Sequence, residues 1–170
     1  MSGVSQWYER QFMFAFPADV YPNICVRLRG TPARLEEFVR SCSPQMLTRK
    51  ADEKWSAQEH AGHLLDLEPL WLKRLEDFVQ GRAELSTTDL SNRKTHEANY
   101  NSQAIESVLA DFRKARWRLV EHAAEVDPAL YSRELVHPRL QKGMRLVDHL
   151  YFVAEHDDHH LANIWQLIRR

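Results

Sequence analysis

Trp55-Ser56-Ala57-Gln58-Glu59-His60-Ala61-Gly62-His63-Leu64-Leu65 is the stretch on which the fold turns. Ser56 and Glu59 stand at the spacing of a capping box, in which each side chain satisfies the other residue's orphan backbone donor, so a helix starts here. Apolar residues then recur at helical spacing through Leu70, Trp71, Leu72, Leu75 and Phe78 as far as Gly81. Pro69 falls inside the pattern and is expected to bend the helix, since it lacks the donor for the Leu65 carbonyl and its ring crowds that turn.

Three more segments share this period. Upstream, Thr31 reads as an N-cap with Pro32 at the first helical position, where the missing N–H is an orphan in any case. Leu35, Phe38 and Val39 follow before a stop at Ser43-Pro44. Tyr21 to Leu28 reads as a shorter helical or irregular lead-in. Downstream, the polar link from Ser86 to Asn99 has the composition of a long crossover. A third helix is predicted from Asn101 or Ser102 to Val126, carried by Ile105, Val108, Leu109, Phe112, Leu119 and Val120 and closed by Asp127-Pro128. Ser132 to Gly143 loosens into an ordered turn or short hairpin. The fourth helix runs from about Arg145, with a weak cap, to Arg169-Arg170, whose charges suit a helix C-terminus. With only 5 glycines for turn chemistry, the pattern predicts an all-α bundle, one domain over residues 1–170.

Composition narrows the function. The 170 residues carry 23 lysines and arginines against 24 aspartates and glutamates, and a net charge of −1 gives no electrostatic footprint for nucleic acid or anionic lipid. No run reaches the roughly eighteen apolar residues of a membrane span, and Met1 to Arg10 has no signal core, so a soluble cytoplasmic protein is expected. Cys25 and Cys42 match neither a redox pair nor a zinc knuckle and read as buried structural thiols. Phosphate loops, dinucleotide fingerprints, HExxH and serine-nucleophile elbows are absent from the sequence. The tryptophans, notably Trp55, Trp71, Trp117 and Trp165, read as core.

The C-terminal run His156-Asp157-Asp158-His159-His160 carries the candidate chemistry. At about 100° per residue His160 lies some 40° from His156, so the two imidazoles share a face and can grip one ion. That face also holds Phe152, Val153 and Leu167, which turns it inward. The best-placed third ligand is His63, on the stripe of Leu67 and Leu70, with His60 about 60° to one side. An i, i+4 pair by itself is equally readable as a satisfied surface or core feature. Three neutral histidines from two helices would leave open coordination positions, the arrangement of a catalytic or substrate-binding ion. One metal is favoured over two, since the Glu-x-x-His pairs of carboxylate-bridged sites lack support.

Further candidates surround this set. Glu59 could flank the ion, although its capping role already accounts for it. Asp66 is either an acceptor for an imidazole N–H or a solvated residue. His149 lines a pocket two turns from His156 but, roughly 10 Å along the axis, cannot share its ion. Asn163, one turn beyond His160, could bind substrate or orient a ligand. His159 is displaced from the stripe and is expected to pack at a helix interface.

Lys54-Trp55-Ser56 followed by Glu59, Gly62-His63-Leu64 and Asp66, with the distant Glu155-His156-Asp157-Asp158-His159-His160-Leu161-Ala162, resembles the DinB/YfiT-like superfamily of metal-binding bundles. Arg27-Leu28-Arg29-Gly30-Thr31-Pro32-Ala33-Arg34-Leu35 and His137-Pro138-Arg139-Leu140 look like segments of the same family. The resemblance implies an up-down four-helix bundle with a long crossover after its second helix, commonly a homodimer. It implies a divalent ion, zinc or nickel first and iron or manganese next, on His63, His156 and His160. It further implies a small-molecule substrate and a thiol-dependent transferase activity using a low-molecular-weight thiol. Metal-dependent hydrolysis and a non-catalytic metal- or ligand-binding role are the alternatives.

Overall fold

A computed structural model of the protein describes residues 4–50 and 54–169; Arg170 lies outside them. Four long helices carry the architecture: α1 (Tyr21–Val39), α3 (Ala57–Gln80), α5 (Ile105–Ala124) and α6 (Leu146–Ile168). They are joined by one-turn helices α2 (Pro44–Thr48) and α4 (Arg93–Glu97) and by a hairpin of β1 (Glu134–His137) and β2 (Lys142–Arg145), with Val136 opposite Gly143. The helical periodicity thus builds the predicted all-α bundle, and the hairpin is a minor addition ahead of α6.

Both α1 and α3 pack on α5 and α6, so α1 and α3 lie diagonally across the bundle, as do α5 and α6. Directions follow from contacts at the helix ends. Tyr21 donates to the Ala123 carbonyl, and Arg113 meets Glu36, so α1 and α5 are antiparallel. Arg27 meets Glu155 and Phe38 meets Trp165, so α1 and α6 are parallel. His60 meets His160 and Phe78 meets His149, which sets α3 against α6. Gln58 donates to the Gln103 carbonyl and Arg116 pairs with Glu68, so α3 and α5 run the same way. The long crossover makes that last relation possible. It leaves α3 at Gly81, whose φ of 67° is the left-handed cap that suits glycine. It then pairs Leu85 N–H with the Val136 carbonyl at 3.0 Å and returns along the bundle through α4 to the start of α5.

The apolar core divides into two halves. One gathers Leu28, Trp71, Leu75, Phe78, Leu119, Leu146 and Leu150, and the other gathers Leu35, Ala61, Leu64, Val108, Phe112 and Ile164. Between them Thr31, Glu68, Arg116 and Asp157, from the four long helices in turn, form a buried polar layer. The Arg116 guanidinium donates to both Glu68 oxygens, from Nε at 3.0 and 3.1 Å, and to Asp157 Oδ1 at 3.0 Å; Asp157 Oδ2 also accepts from Arg116 and, at 2.7 Å, from Thr31. Such a buried layer is satisfied in one register only, because displacing a partner strands a charge.

This layer explains the main departure from the sequence reading. Thr31 and Pro32 do not start a helix; both are buried in the interior of α1, which begins at Tyr21-Pro22. Pro32 leaves the Leu28 carbonyl without its helical donor. Arg116 Nη1 supplies one instead, at 3.2 Å. Helix α3 likewise continues through Pro69 to Gln80. Helix α5 starts later than expected, at Ile105, because Tyr100–Ser102 forms a 3-10 turn. The cap of α6 is stronger than predicted, with Asp148 accepting from the Arg145 backbone N–H at 3.0 Å. Trp117 and Trp165 are exposed rather than core. Cys25 and Cys42 are free and half-buried. Among the described residues no helix is long and apolar enough to cross a membrane.

Candidate metal centre

The capping box of α3 forms as predicted: Ser56 Oγ accepts from Glu59 N–H at 3.1 Å, and Glu59 accepts from Ser56 N–H at 2.8 Å. It fixes where α3 begins and therefore where His63 points. Antiparallel packing of α3 on α6 then brings His63, His156 and His160 together, with one ring nitrogen of each within 4.8 Å of the others. All three are at most 5% exposed. Burial holds His63 down at about 4 and keeps His156 and His160 well below the ordinary imidazole value, so the cluster is neutral at physiological pH.

Hydrogen bonds settle the tautomer of His63. Thr95 Oγ1 donates to Asp66 Oδ2 at 2.9 Å, and a hydroxyl has one proton to give, so at 3.1 Å it accepts from His63 Nδ1. The lone pair of His63 therefore sits on Nε2. Asp66 is in turn held by Tyr100 O–H at 2.8 Å and Lys94 at 3.1 Å. Asp66 thus acts on His63 through Thr95, the arrangement that orients metal-binding imidazoles. On α6, His160 Nδ1 lies 2.8 Å from His60 Nδ1, and His160 Nε2 lies 3.2 Å from His156 Nε2. Two nitrogens bound to one ion at ordinary zinc distances are separated by roughly 3.0 to 3.4 Å, depending on octahedral or tetrahedral geometry. His156 and His160 thus stand at the separation of two ligands on one divalent ion, with a ring nitrogen of His63 within 4.8 Å of them.

Gly62 makes this packing feasible. A Cβ there would lie 2.2 Å from the ring of Tyr100, so only glycine lets the crossover close over α3 beside His63. The histidines open into a cleft of about 580 Å³ whose walls include Trp7, Tyr8, Trp55, His159 and Asn163. Trp7 packs edge-on against His156 at 5.0 Å, and Trp55 lies 4.7 Å from His63.

The remaining candidates separate clearly. Asn163 lines the cleft and donates to the His159 carbonyl at 2.9 Å. His159, expected at a helix interface, also lines it and is held at about 4, largely by burial. Glu59 is occupied by its cap and by Lys50 at 2.9 Å, away from the cleft wall. His149 is fully buried against Trp71 and Phe78 and does not reach the cleft. The rise along α6 that rules out a shared ion also carries His149 under the aromatic core. Sequence reasoning missed Thr95, Tyr8 and Asn92, which come from segments without periodicity. It set His60 aside by its 60° offset, although an i, i+3 histidine before His63 could have marked it.

A family model of the DinB superfamily matches residues 27–164. Among solved structures, YfiT from Bacillus subtilis, described as a probable metal-dependent hydrolase with an unusual four-helix bundle topology, is similar at a TM-score of 0.82 and 18% identity. The match covers 95% of this chain and 93% of that one. At that identity the likeness establishes the fold. A comparison with curated proteins finds no match.

Proposed function

Since the chain belongs to the DinB superfamily, we propose that it is a metal-dependent enzyme acting on a small molecule in the cleft, with one divalent ion held by His63, His156 and His160. The observation that carries this reading is three buried, neutral imidazoles from two helices whose ring nitrogens converge on one point. Imidazole donors suit zinc, nickel and iron. Bound there, such an ion would supply Lewis acidity and lower the pKa of a coordinated water or thiol toward neutrality.

The chain's own groups prepare the site. Thr95 and Asp66 hold the His63 ring in one tautomer, and His60 anchors the outer nitrogen of His160. Trp7 and Trp55 wall the cleft and keep bulk water off its sides. Neither cysteine lines the cleft, and burial raises both thiols, Cys25 to about 11. The attacking group is therefore one brought into the cleft.

Hydrolysis is the favoured form of the reaction, supported by the description of the similar fold as a probable metal-dependent hydrolase. Thiol transfer is the second reading, favoured by a cleft of about 580 Å³ that has room for a thiol and an electrophile together. The two are separated with cobalt-substituted protein. Hydrolysis predicts turnover of an ester or amide panel that is lost in His63→Ala. Thiol transfer predicts a sulfur-to-metal charge-transfer band on adding a small thiol, again lost in His63→Ala. Bound metal with neither response would leave a ligand-binding module. We also infer a two-fold homodimer, supported by the exposed apolar residues Val26 and Trp117, 71% and 48% accessible on neighbouring helices α1 and α5.

A further inference from the structure

Beside the three histidines lies a second, smaller cavity of about 60 Å³, whose lining includes His63 and His156 together with Trp71, Arg74, His137 and Arg139. Trp71, Arg74 and Arg139 turn the wall toward hydrogen-bond donation. Trp71 is 3% exposed and its indole N–H has no partner among the described residues; the same holds for Arg139 Nη2, which is buried. Arg74, 2% exposed, donates from Nε to the Ser86 carbonyl at 2.9 Å, and its Nη1 lies 3.2 Å from His137 Nε2.

That last contact joins two donors. His137 Nδ1 accepts the backbone N–H groups of Arg139 and Leu140, each at 3.3 Å. Burial and the two guanidinium groups hold His137 down at about 3, so the ring is neutral and its single proton sits on Nε2. Neither guanidinium has a carboxylate partner among the described residues. Asp77, the acid nearest in effect to Arg74, is taken up by Arg82 at 3.9 Å and Ser86 N–H at 2.7 Å. Arg139 stacks on Tyr8 and Phe152 instead. The one carboxylate in the wall, Asp89, is exposed and accepts from Ser91 N–H, Ser91 O–H and Arg93 N–H. The buried Arg74 guanidinium without a carboxylate in contact, and the buried, unpartnered N–H groups of Trp71 Nε1 and Arg139 Nη2, leave donor capacity in this wall that an anion would complete.

We propose that this cavity is an oxyanion subsite that takes a carboxylate group of the substrate, positioning the rest of the molecule at the three histidines. Planar two-oxygen acceptors match the guanidinium fork, and the space suits a group of a few heavy atoms. The proposal rests on the metal-centre reading only for what lies at the other end of the ligand. It also gives the His137-Pro138-Arg139 turn a role: the end of β1 and the residues after it bring His137 and Arg139 into the cavity wall beside Trp71 and Arg74 of α3.

The test is a titration of metal-free protein with acetate, phosphate and chloride at fixed ionic strength, read by the Trp71 indole N–H resonance in nitrogen–proton spectra. Acetate should shift that resonance saturably, and Arg139→Gln should weaken binding by about tenfold or more. Trp71→Phe, which keeps the ring packing, should remove that resonance, and its acetate affinity, followed at the Arg139 side-chain N–H resonance, should weaken too. An indole resonance that acetate leaves unmoved, or wild-type acetate affinity in folded Arg139→Gln and Trp71→Phe, would overturn the subsite. Phosphate binding with acetate excluded would overturn the carboxylate assignment. Because no metal is present, this result stands or falls separately from the three-histidine reading.

Discussion

Gly62→Ala sets two effects of opposite sign against each other inside α3. Helix propensity alone favours alanine by about 1 kcal/mol, so a variant judged locally would be stabilised. The fold reverses that expectation. The added Cβ would meet Tyr100 ring atoms at 2.2, 2.4 and 2.4 Å, and Tyr100 is itself buried at 5% exposure with its hydroxyl committed to Asp66. Overpacking of a closed site destabilises by about 1–3 kcal/mol, and three such contacts place this one at the upper end. The net loss is about 2 kcal/mol, or roughly 4–8 °C in Tm for a chain of this length. Thermal unfolding of wild type and variant is the assay. A Gly62→Ala protein melting at or above the wild-type temperature would refute the claim that the crossover closes directly on α3 beside His63.

Other consequences follow from the same contacts. Thr95→Val removes the hydroxyl that fixes His63 while keeping its shape, and competitive chelator titration should show divalent-metal affinity about 10–100-fold weaker; unchanged affinity would remove Thr95 and Asp66 from the site. Metal-free protein should lose stability as pH falls. His63 is depressed from 6.5 to about 4 in the folded chain, so below about 6.5 the unfolded state takes the proton first, and this one residue removes about 1.4 kcal/mol per pH unit until the folded value is reached, the other depressed histidines of the cluster steepening the loss. Melting curves between roughly pH 7 and pH 5 should show this slope, and it should be shallower in His63→Leu. Light scattering should give a dimer mass that Val26→Glu or Trp117→Glu converts to monomer; a monomer for wild type at high concentration would count against the dimer.

Periodicity made much of this legible. The Ser56–Glu59 box and the i, i+4 pair His156 and His160 are local devices, decided within two turns of their own helix, and the structure places them as expected. Pro32 was misread because its tolerance in α1 depends on Arg116, far away in sequence on α5, reaching the Leu28 carbonyl. Thr95 goes unread, and Arg139 reads only as part of a family-like turn, for a related reason: they sit in a crossover and a turn, and only packing brings them to the walls of the site. His149 shows the limit of a helical wheel, which gives angle correctly but not what covers each turn. The buried layer of Thr31, Glu68, Arg116 and Asp157 has no sequence signature either, since each member alone reads as an ordinary polar residue on a helix.

The central claim is that His63, His156 and His160 hold one ion together, and the most direct measurement is elemental analysis of gently purified wild type beside folded His63→Ala, His156→Ala and His160→Ala. The account predicts about one divalent ion per chain in wild type and near-complete loss in each variant. Wild-type metal content retained in His156→Ala or His160→Ala would contradict it.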